Sequence, residues 1–591
     1  MPPAQLGIKE LVATPKIPQP QAQAKALLEE DIEAINKKAA IRFLLKNFIL
    51  EKFGLIWFLQ FLFFDQINKF KLSDWTICPK FLKTTKTISF IEFKTKINSL
   101  SFILEEPKKL MKFLAALLTI IALFTLNNCS DKNLKNTIAK EVNSQFLSQS
   151  KNINTNKPAD DWWLEFNDDL LNQLIAIGLK NNKDLQISSL NIVTARQLNN
   201  INITDLLPAG KISLQRQRFA SPVFGPNGVK YDIYQALFDA SWELDFFGKN
   251  LDRYKSGKMR FLKETEIYKA NALRVSSEIA QNYFALKATQ KQISNLSEIL
   301  EIKKELSAIA TQKESNGTYS KINLYQAKID FEKAASDLTF AKSNEKLLTY
   351  RLAVLLGATP EKTLQILSDA KNNKQIFDYY SGIVPVGLKS DILKNRPDIL
   401  AAEYEIDAAI YDKSAQIKEF LPSFNLTASV GGGTKDLGEV LKHGAGIKNI
   451  NGGVSLPFFA IGELTQRYKI TKAKAKIAVL DYEKTVLNAV ADAESQLTRY
   501  VDSLAIEENF SNARIASAKI LKINQNKKSV GAISKEELLN SKVSDLAQEN
   551  LLAQKKSETL TNLIALHKSI GGGFLGYKMK FEKDRVFLDK E

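Results

Sequence analysis

The chain has 591 residues and a formal net charge of +17, with only two histidines and two cysteines. His443 and His567 lie far apart, which argues against a histidine-built metal site or a Ser/His/Asp triad, and two cysteines cannot form a disulfide framework. The lysines are spread through helical stretches, so the charge indicates solvated helix faces rather than a nucleic-acid surface. We predict no enzyme activity, no metal and no cofactor. The Gly571–Gly573 run is interpreted as a helix stop, since no strand precedes it.

Residues 1–110 are interpreted as an extension outside the mature fold. Residues 1–40 are rich in Pro, Gln and Ala, and residues 41–104 mix Phe, Ile and Lys without a clear period. The alternative is an N-terminal membrane anchor around Ile56–Phe64. Nearby charges such as Lys46 weaken that stretch as a membrane span.

Residues 111–128 are predicted to be a bacterial export signal. Lysines flank Met111, and the chain from Phe113 to Leu126 is almost wholly apolar. A short basic region followed by an apolar core of this length is typical of a signal peptide, and the core is too short to span a membrane comfortably.

Cys129 follows this signal and is predicted to be the lipidated N-terminus of the mature chain. Leu126 stands three residues before it, as in the lipoprotein cleavage motif, although two asparagines replace the usual small residues. Ser130 favours sorting to the outer membrane. The alternative is an ordinary cleavable signal with an incidental cysteine. Residues 129–158 are then a lipidated linker that leads into the fold.

The rest of the chain repeats itself at a constant offset of 214 residues. This offset relates Leu207 to Leu421, Gly248 to Gly462, Arg253 to Arg467, Gly317 to Gly531 and Gly357 to Gly571. Such a regular offset predicts a tandem duplication of one module. The two copies are predicted at residues 159–360 and 385–575, with a linker at 361–384 and a C-terminal tail at 576–591. Two copies are too few for a solenoid, so the module is expected to associate with further copies from other chains.

In each copy a shorter helix precedes a segment with strand periodicity. Tyr234, Phe238 and Trp242 alternate with polar residues such as Asp239 and Glu243. The predicted strands cover about 207–218, 231–246, 421–431 and 449–459. The alternation fits transmembrane β-strands and fits a soluble, half-exposed hairpin equally well. Four strands cannot close a barrel and lipid excludes open sheet edges, so a membrane-spanning barrel has to be shared among several chains.

Long stretches without Gly or Pro predict unusually long helices after these strands. The predicted helices cover about 250–316, 318–356, 463–530 and 532–570. At 1.5 Å per residue the longest reach roughly 100 Å. Apolar residues at seven-residue intervals, such as Ala272, Ile279 and Leu286, indicate helices packed side by side as in coiled coils.

Five short segments carry a family resemblance. The most specific is Ala-Ser-Trp-Glu-Leu-Asp-Phe-Phe-Gly-Lys at 240–249, followed by Arg-Pro-Asp-Ile at 396–399 with Phe-Leu-Pro at 420–422. Trp-Trp at 162–163 and Ser-Ile-Gly-Gly-Gly at 569–573 fit as well. With these motifs the chain resembles the TolC-type outer-membrane efflux proteins, in the lipoprotein branch that serves multidrug pumps. The resemblance covers about residues 111–575.

The resemblance implies a mainly α protein with a small transmembrane β part. The expected assembly is a homotrimer with a 12-stranded β-barrel continuous with a 12-helix periplasmic α-barrel, lipid-anchored in the outer membrane. Its expected function is a passive exit duct for drugs or other small toxic compounds, supplied by an inner-membrane proton-driven pump through a periplasmic adaptor. One alternative is the outer-membrane duct of a type I protein secretion system. Another is a non-conducting periplasmic coiled-coil scaffold.

Candidate functional residues lie at the glycine-marked turns within the long helical hairpins. Ser320 and Ser534 are predicted to be N-caps of the returning helices. By resemblance, the turns are the tips that dock the adaptor, at Gly317, Thr318, Ser320, Gly531, Ala532 and Ser534. Also by resemblance, Asn323, Glu536 and Glu537 mark a pore constriction at which carboxylates attract cations. The alternative for these carboxylates is a solvated first helical turn favoured by the helix dipole.

Two further predictions concern Tyr234, Trp242 and Arg396-Pro397-Asp398. Tyr234 and Trp242 are candidates for aromatic belts at the membrane interfaces, with plain barrel packing as the alternative. The Arg-Pro-Asp segment is interpreted as a helix-start device rather than a binding site. Lys389 stands where relatives often have Pro, which changes no functional prediction.

Overall fold

The computed structural model describes residues 145–147, 153–156, 159–221, 229–369, 384–436, 438–439, 446–574, 577–582 and 585–590. Every described residue belongs to one compact unit, Ile120–Glu591. The N-terminal extension, the export signal, Cys129 and most of the predicted linker lie outside the described residues.

The first half of the described chain runs through two helices, two strands, a very long helix and a helix of half that length. A two-residue strand and a 3-10 helix at Trp162–Phe166 precede them. The elements are β1 (Ile153–Asn154), α1 (Asp169–Asn181), α2 (Lys183–Thr204), β2 (Ala209–Ser221), β3 (Val229–Leu244), α3 (Lys249–Ser315) and α4 (Lys321–Leu356). With 67 residues at 1.5 Å each, α3 is about 100 Å long.

The second half follows the same order of elements. It begins after a connection that contains a short helix and a two-residue strand. The elements are α5 (Pro360–Asp369), β4 (Val384–Pro385), α6 (Ile392–Asn395), α7 (Pro397–Lys418), β5 (Ser423–Thr434), β6 (Ile447–Ser455), α8 (Ile461–Ser529), α9 (Lys535–Ser569), β7 (Tyr577–Glu582) and β8 (Arg585–Lys590). No helix among the described residues is both long and apolar enough to cross a bilayer.

Several element boundaries differ from the predicted ones for local reasons. β3 ends at Leu244 rather than 246 because the Asp245 carboxylate turns to accept the backbone N–H groups of the second and third residues of α3. β6 ends at Ser455 rather than 459 because Pro457 cannot donate a ladder hydrogen bond. β2 begins directly after Pro208 for the same reason.

The four long strands form one antiparallel sheet in the order β2–β3–β5–β6, and β2 and β6 are its edges. The register places Ile212 opposite Phe238 and Phe238 opposite Val430, so these apolar side chains share one face. The other face is polar: Asp239 accepts hydrogen bonds from the hydroxyls of Ser213 at 3.0 Å and Ser429 at 2.8 Å. The predicted alternation along each strand therefore becomes one mainly apolar and one mainly polar face of the sheet.

Four helices pack side by side along each half of the long helices α3 and α8, and α3 and α8 are two of the four in each layer. Near the sheet the order is α2–α3–α7–α8, and farther from the sheet it is α4–α3–α9–α8. The two long helices belong to both layers. In each layer α8 is one edge, and α2 or α4 is the opposite edge.

Apolar burial is concentrated around the 3-10 helix and the middle of α3. Trp162, Tyr283, Phe284 and Phe574 are fully buried there, and the rings of Trp162 and Trp163 meet edge-on at 5.6 Å. The layer farther from the sheet has a second, smaller cluster built from Ile299, Ile302, Ala334 and Leu546. Partly buried apolar side chains such as Leu300, Leu539 and Val543 pack against it, so the two halves of the chain meet here through an apolar strip flanked by a polar seam.

Ion pairs at heptad spacing join α3 to α9 along this polar seam. Lys291 pairs with Glu549 at 3.2 Å, Lys542 pairs with Glu298 at 2.5 Å, and Lys535 pairs with Glu305. These side chains are between one-fifth and three-fifths exposed, so each pair contributes about 0–1 kcal/mol.

Arg396 precedes Pro397, which occupies the first turn of α7, so the predicted helix-start device is confirmed. The guanidinium also links three elements. It donates to Asp398 at 2.7 Å, to Asp492 of α8 at 3.1 Å and to the carbonyl of Ser569 at the end of α9 at 2.8 Å.

Candidate functional site

The two turns that end the long helices have the geometry predicted for them. Gly317 and Gly531 have φ of +72° and +75°, in the left-handed region that favours glycine. The Ser320 hydroxyl accepts a hydrogen bond from the backbone N–H of Asn323 at 3.3 Å, and Ser534 does the same for the third residue of α9 at 3.1 Å. Both N-cap predictions are confirmed. All the predicted tip residues are exposed: Gly317, Thr318, Ser320, Gly531, Ala532 and Ser534.

Two of the predicted constriction residues occupy matching positions one turn into the returning helices. The Glu537 carboxylate accepts the backbone N–H of Ser534 at 3.2 Å and so completes a capping box with the Ser534 hydroxyl. Asn323 is its counterpart in α4, with an exposed side chain. The Glu537 carboxylate is thus held at the N-terminus of α9, where the helix dipole favours a negative charge.

Glu536 lies in a different environment, between the two tips. Its carboxylate pairs with Lys313 at the end of α3 and accepts a hydrogen bond from the Tyr319 hydroxyl at 3.0 Å. Lys313 Nζ lies 4.6 Å from the centre of the Tyr319 ring, and the Glu536 hydrogen bond raises the pKa of the Lys313 ammonium. Sequence reasoning missed Lys313 and Tyr319 because each belongs to the other repeat, 223 and 217 residues away from Glu536.

Tyr234 and Trp242 lie on the apolar face of the sheet, eight residues apart on β3. Trp242 Nε1 donates to the carbonyl of Leu206 at 3.0 Å, which ties the helix-proximal end of the strand to the end of α2. Near the opposite end, the Arg216 guanidinium lies 5.5 Å from the centre of the Tyr234 ring. The two rings therefore lie toward opposite ends of the apolar face.

Sequence reasoning missed four phenylalanines at the helix-proximal end of this sheet. The rings of Phe246 and Phe424 pack at 4.9 Å, and those of Phe458 and Phe459 meet edge-on at 5.4 Å. Phe459 is 99% exposed on the single chain. The sequence signal for this cluster is the concentration of Phe at the strand ends. The predicted strand boundaries placed these residues inside the strands.

The edge helices of both layers carry exposed apolar side chains along one face. On α2 this stripe starts at Ile187 and ends at Ile201, and on α4 it covers the whole helix. The stripes consist of Ile187, Leu190, Leu198 and Ile201 on α2, of Ile322, Tyr325, Ile329, Phe340, Leu347 and Val354 on α4, and of Ile470, Ile477, Leu480 and Leu487 on α8. Residues at these intervals lie on one side of a helix, so each stripe is an unpaired packing surface.

His567 is buried against the aromatic core near the end of α9. Its ring stacks on Trp162 with centroids 5.7 Å apart and planes at 15°. Within the described part of the chain, neither His567 Nδ1 nor Trp162 Nε1 has a hydrogen-bond partner. Burial lowers the pKa of His567 to about 4, from an ordinary value of 6.5, so the ring is neutral at physiological pH.

We expect His567 to make stability depend on pH. Below pH 6.5 the unfolded chain takes up a proton that the folded chain binds only near pH 4, so stability is complete above pH 6.5 and falls as the pH is lowered toward 4. The full loss is about 3 kcal/mol. Melting temperatures between pH 7.5 and 4.5 should decline less steeply for His567→Phe than for the wild type and for His443→Gln. Equal slopes in all three proteins would contradict this role.

The sequence pattern that defines the outer membrane efflux protein family matches residues 174–358 and 388–572, more than half of the chain. The chain belongs to this family, which is of the TolC type. Its members are channel proteins, and the chain is accordingly an outer-membrane protein whose long helices lie in the periplasm.

Individual relatives agree with this assignment. The chain is 27% identical over 428 residues to the probable efflux pump outer membrane protein TtgC of Pseudomonas putida, covering 70% of this chain and 85% of TtgC. It is 25% identical over 476 residues to the cation efflux system protein CusC of Escherichia coli, covering 79% and 100%. Among solved structures it is similar to the Campylobacter jejuni CmeC outer membrane channel, with a TM-score of 0.65 and 26% identity over 75% of this chain and 92% of CmeC.

Proposed function

We propose that three copies of this chain form a duct through the outer membrane that passively conducts drugs or other small toxic compounds. In this proposal an inner-membrane proton-driven pump delivers the substrate through a periplasmic adaptor. The observation that carries the proposal is that, among the described residues, the sheet and both helix layers end in open edges, and that the helix edges are apolar.

Open edges on both sides require neighbours. The unpaired backbone groups of β2 and β6 cannot remain open in lipid, and four strands are too few to close on themselves. Three copies of four strands give twelve, and three copies of a four-helix layer give twelve helices around the same axis. In that ring α8 of one copy packs against α2 and α4 of the next, which buries the apolar stripes. The repeated order of elements supports two copies of one duplicated module in each chain.

The apolar face of the sheet has the dimensions of a lipid-facing surface. Tyr234 and Trp242 are separated by eight residues, or about 27 Å along a strand and less across a bilayer when the strand is tilted. We propose that they belong to the outer and inner aromatic belts, respectively. The four phenylalanines beside the helices extend the inner belt. The polar face then lines the duct.

The substrate class is proposed from the relatives together with the predicted export signal. The names of the relatives refer to antibiotics, toluene and cations. A lipid anchor at Cys129 would tether the chain to the membrane and favours the drug-pump branch over type I protein secretion. The exposed turns around Gly317 and Gly531 are proposed to dock the adaptor.

Single-channel recording tests the proposal directly. Protein extracted from outer membranes with detergent should insert into a planar lipid bilayer and give stepwise currents, and it should remain membrane-bound in high salt. A protein that gives no current and leaves the membrane in high salt alone would instead be the non-conducting scaffold.

Glu537 provides a test of the proposed constriction. Three copies of its carboxylate around a narrow axis would attract cations, so Glu537→Gln should weaken block by divalent cations by about tenfold or change the conductance. The matched control is Glu314→Gln, which removes a carboxylate before the other turn. An unchanged single-channel record for Glu537→Gln would exclude Glu537 from the constriction.

A further inference from the structure

Two arginines interrupt the apolar face of the sheet at the end away from the helices. Along β2 this face reads Ile212, Leu214, Arg216 and Arg218, so the change from apolar to basic is abrupt. Arg216 and Arg218 are 52% and 68% exposed. Because the helices are periplasmic, this end of the sheet faces the outer leaflet of the membrane.

A single carboxylate pairs with both guanidinium groups. Asp232 on β3 accepts from Arg216 Nη2 at 2.7 Å, from Arg218 Nε at 2.8 Å and from Arg218 Nη2 at 3.1 Å. Tyr234 supports Arg216 from the next position on the same face. Two positive charges against one negative charge leave a net charge of +1, and each guanidinium keeps N–H donors directed away from Asp232.

Trimer closure would add a third positive charge to this surface. Lys448 is exposed on the same face of the sheet, one residue from the outer end of the edge strand β6. The register pairs Lys448 with Val430, Val430 with Phe238 and Phe238 with Ile212, so Lys448 is level with Ile212 in its own sheet. In the proposed barrel, β6 of one copy lies beside β2 of the next, so Lys448 adds a positive charge to the same lipid-facing surface across the seam.

We propose that Arg216 and Arg218 bind a phosphate group of a phosphorylated glycolipid in the outer leaflet. Planar guanidinium groups match phosphate oxygens with paired hydrogen bonds, and the apolar side chains below them suit acyl chains. Arg216 lies about 7 Å above Leu214 along the strand, which corresponds to the boundary between acyl chains and headgroups. This inference rests on the lipid-facing barrel of the proposed function.

Native mass spectrometry of the full chain in detergent tests the inference, because one spectrum reports both the oligomer and the retained lipid. The probes are bisphosphorylated lipid A, the same lipid without phosphates, and inorganic phosphate. The wild-type trimer should retain only the bisphosphorylated lipid, and Arg218→Gln should weaken retention about tenfold. Lys211→Gln is the matched control, since Lys211 lies on the same strand but on the polar face.

Asp232→Asn separates lipid binding from a purely structural ion pair. Removing the carboxylate frees both guanidiniums, so lipid retention should equal or exceed that of the wild type. Weakened retention in Asp232→Asn, normal retention in Arg218→Gln, or equal retention of the dephosphorylated lipid would each overturn the site. Displacement of the lipid by millimolar inorganic phosphate would show a free-phosphate site instead. Trimers that retain no lipid would contradict only this inference. A spectrum that contains only monomers would also contradict the proposed trimer.

Discussion

Replacing Leu480 with glutamate is expected to convert the conducting assembly into separate chains that carry no current. Leu480 is 62% exposed on the single chain and lies in the apolar stripe of α8. In a closed ring the stripe is buried, and an unpaired carboxylate would then cost on the order of several kcal/mol at each of three equivalent seams. Light scattering after size-exclusion chromatography and bilayer recording measure the two consequences.

The matched control for this substitution is Lys472→Glu, which introduces the same side chain on a neighbouring exposed face of α8. It should leave both the mass and the current unchanged. Circular dichroism should show that both variants keep their helices, since Leu480 makes little contact within its own chain. A Leu480→Glu protein that runs as a normal trimer would exclude this face of α8 as the seam.

Removing the Arg396 side chain is expected to cause a large loss of stability within one chain. Its guanidinium is 15% exposed and joins the start of α7 to α8 and to the end of α9. Arg396→Ala leaves the Ser569 carbonyl and two carboxylates without this donor, which costs about 3 kcal/mol. Thermal melting in detergent should detect the loss, and Arg396→Lys should restore only part of it because one ammonium cannot match three acceptors.

Arg467→Ala is the matched control. Arg467 forms an ion pair with Glu463 one turn away on α8, and both side chains are more than half exposed. Such a pair contributes a few tenths of a kcal/mol, so melting should hardly change. Equal shifts for the two alanine variants would show that Arg396 acts only as a surface charge.

The features that the sequence predicted are those encoded locally. The alternation around Phe238 and Trp242 indicated two sheet faces, and the Gly317 and Gly531 turns indicated where the long helices end. Each depends on a few neighbouring residues. Even there the ends of two strands moved by two or more residues, because Asp245 caps α3 and Pro457 stops β6.

The features that the sequence did not predict depend on residues far apart in the chain. The pairing of Glu536 with Lys313 and Tyr319 requires knowledge of which helix ends lie side by side. The open stripes on α2, α4 and α8 require the packing order, since an apolar heptad pattern does not indicate whether its partner belongs to the same chain. His567 gave no signal, because a lone histidine has no pattern.

The uneven distribution of apolar packing along α3 and α8 determines which part of the molecule is compliant. Around Trp162 the helices are held by many large buried side chains, whereas toward the tips a four-residue cluster and charge pairs hold them. Thermal bending and splaying will therefore concentrate at the tips, and the helical wall around the middle of α3 will be stiffer. In the proposed duct, a substrate would therefore enter through the most deformable part of the helical wall and pass a stiffer section afterwards.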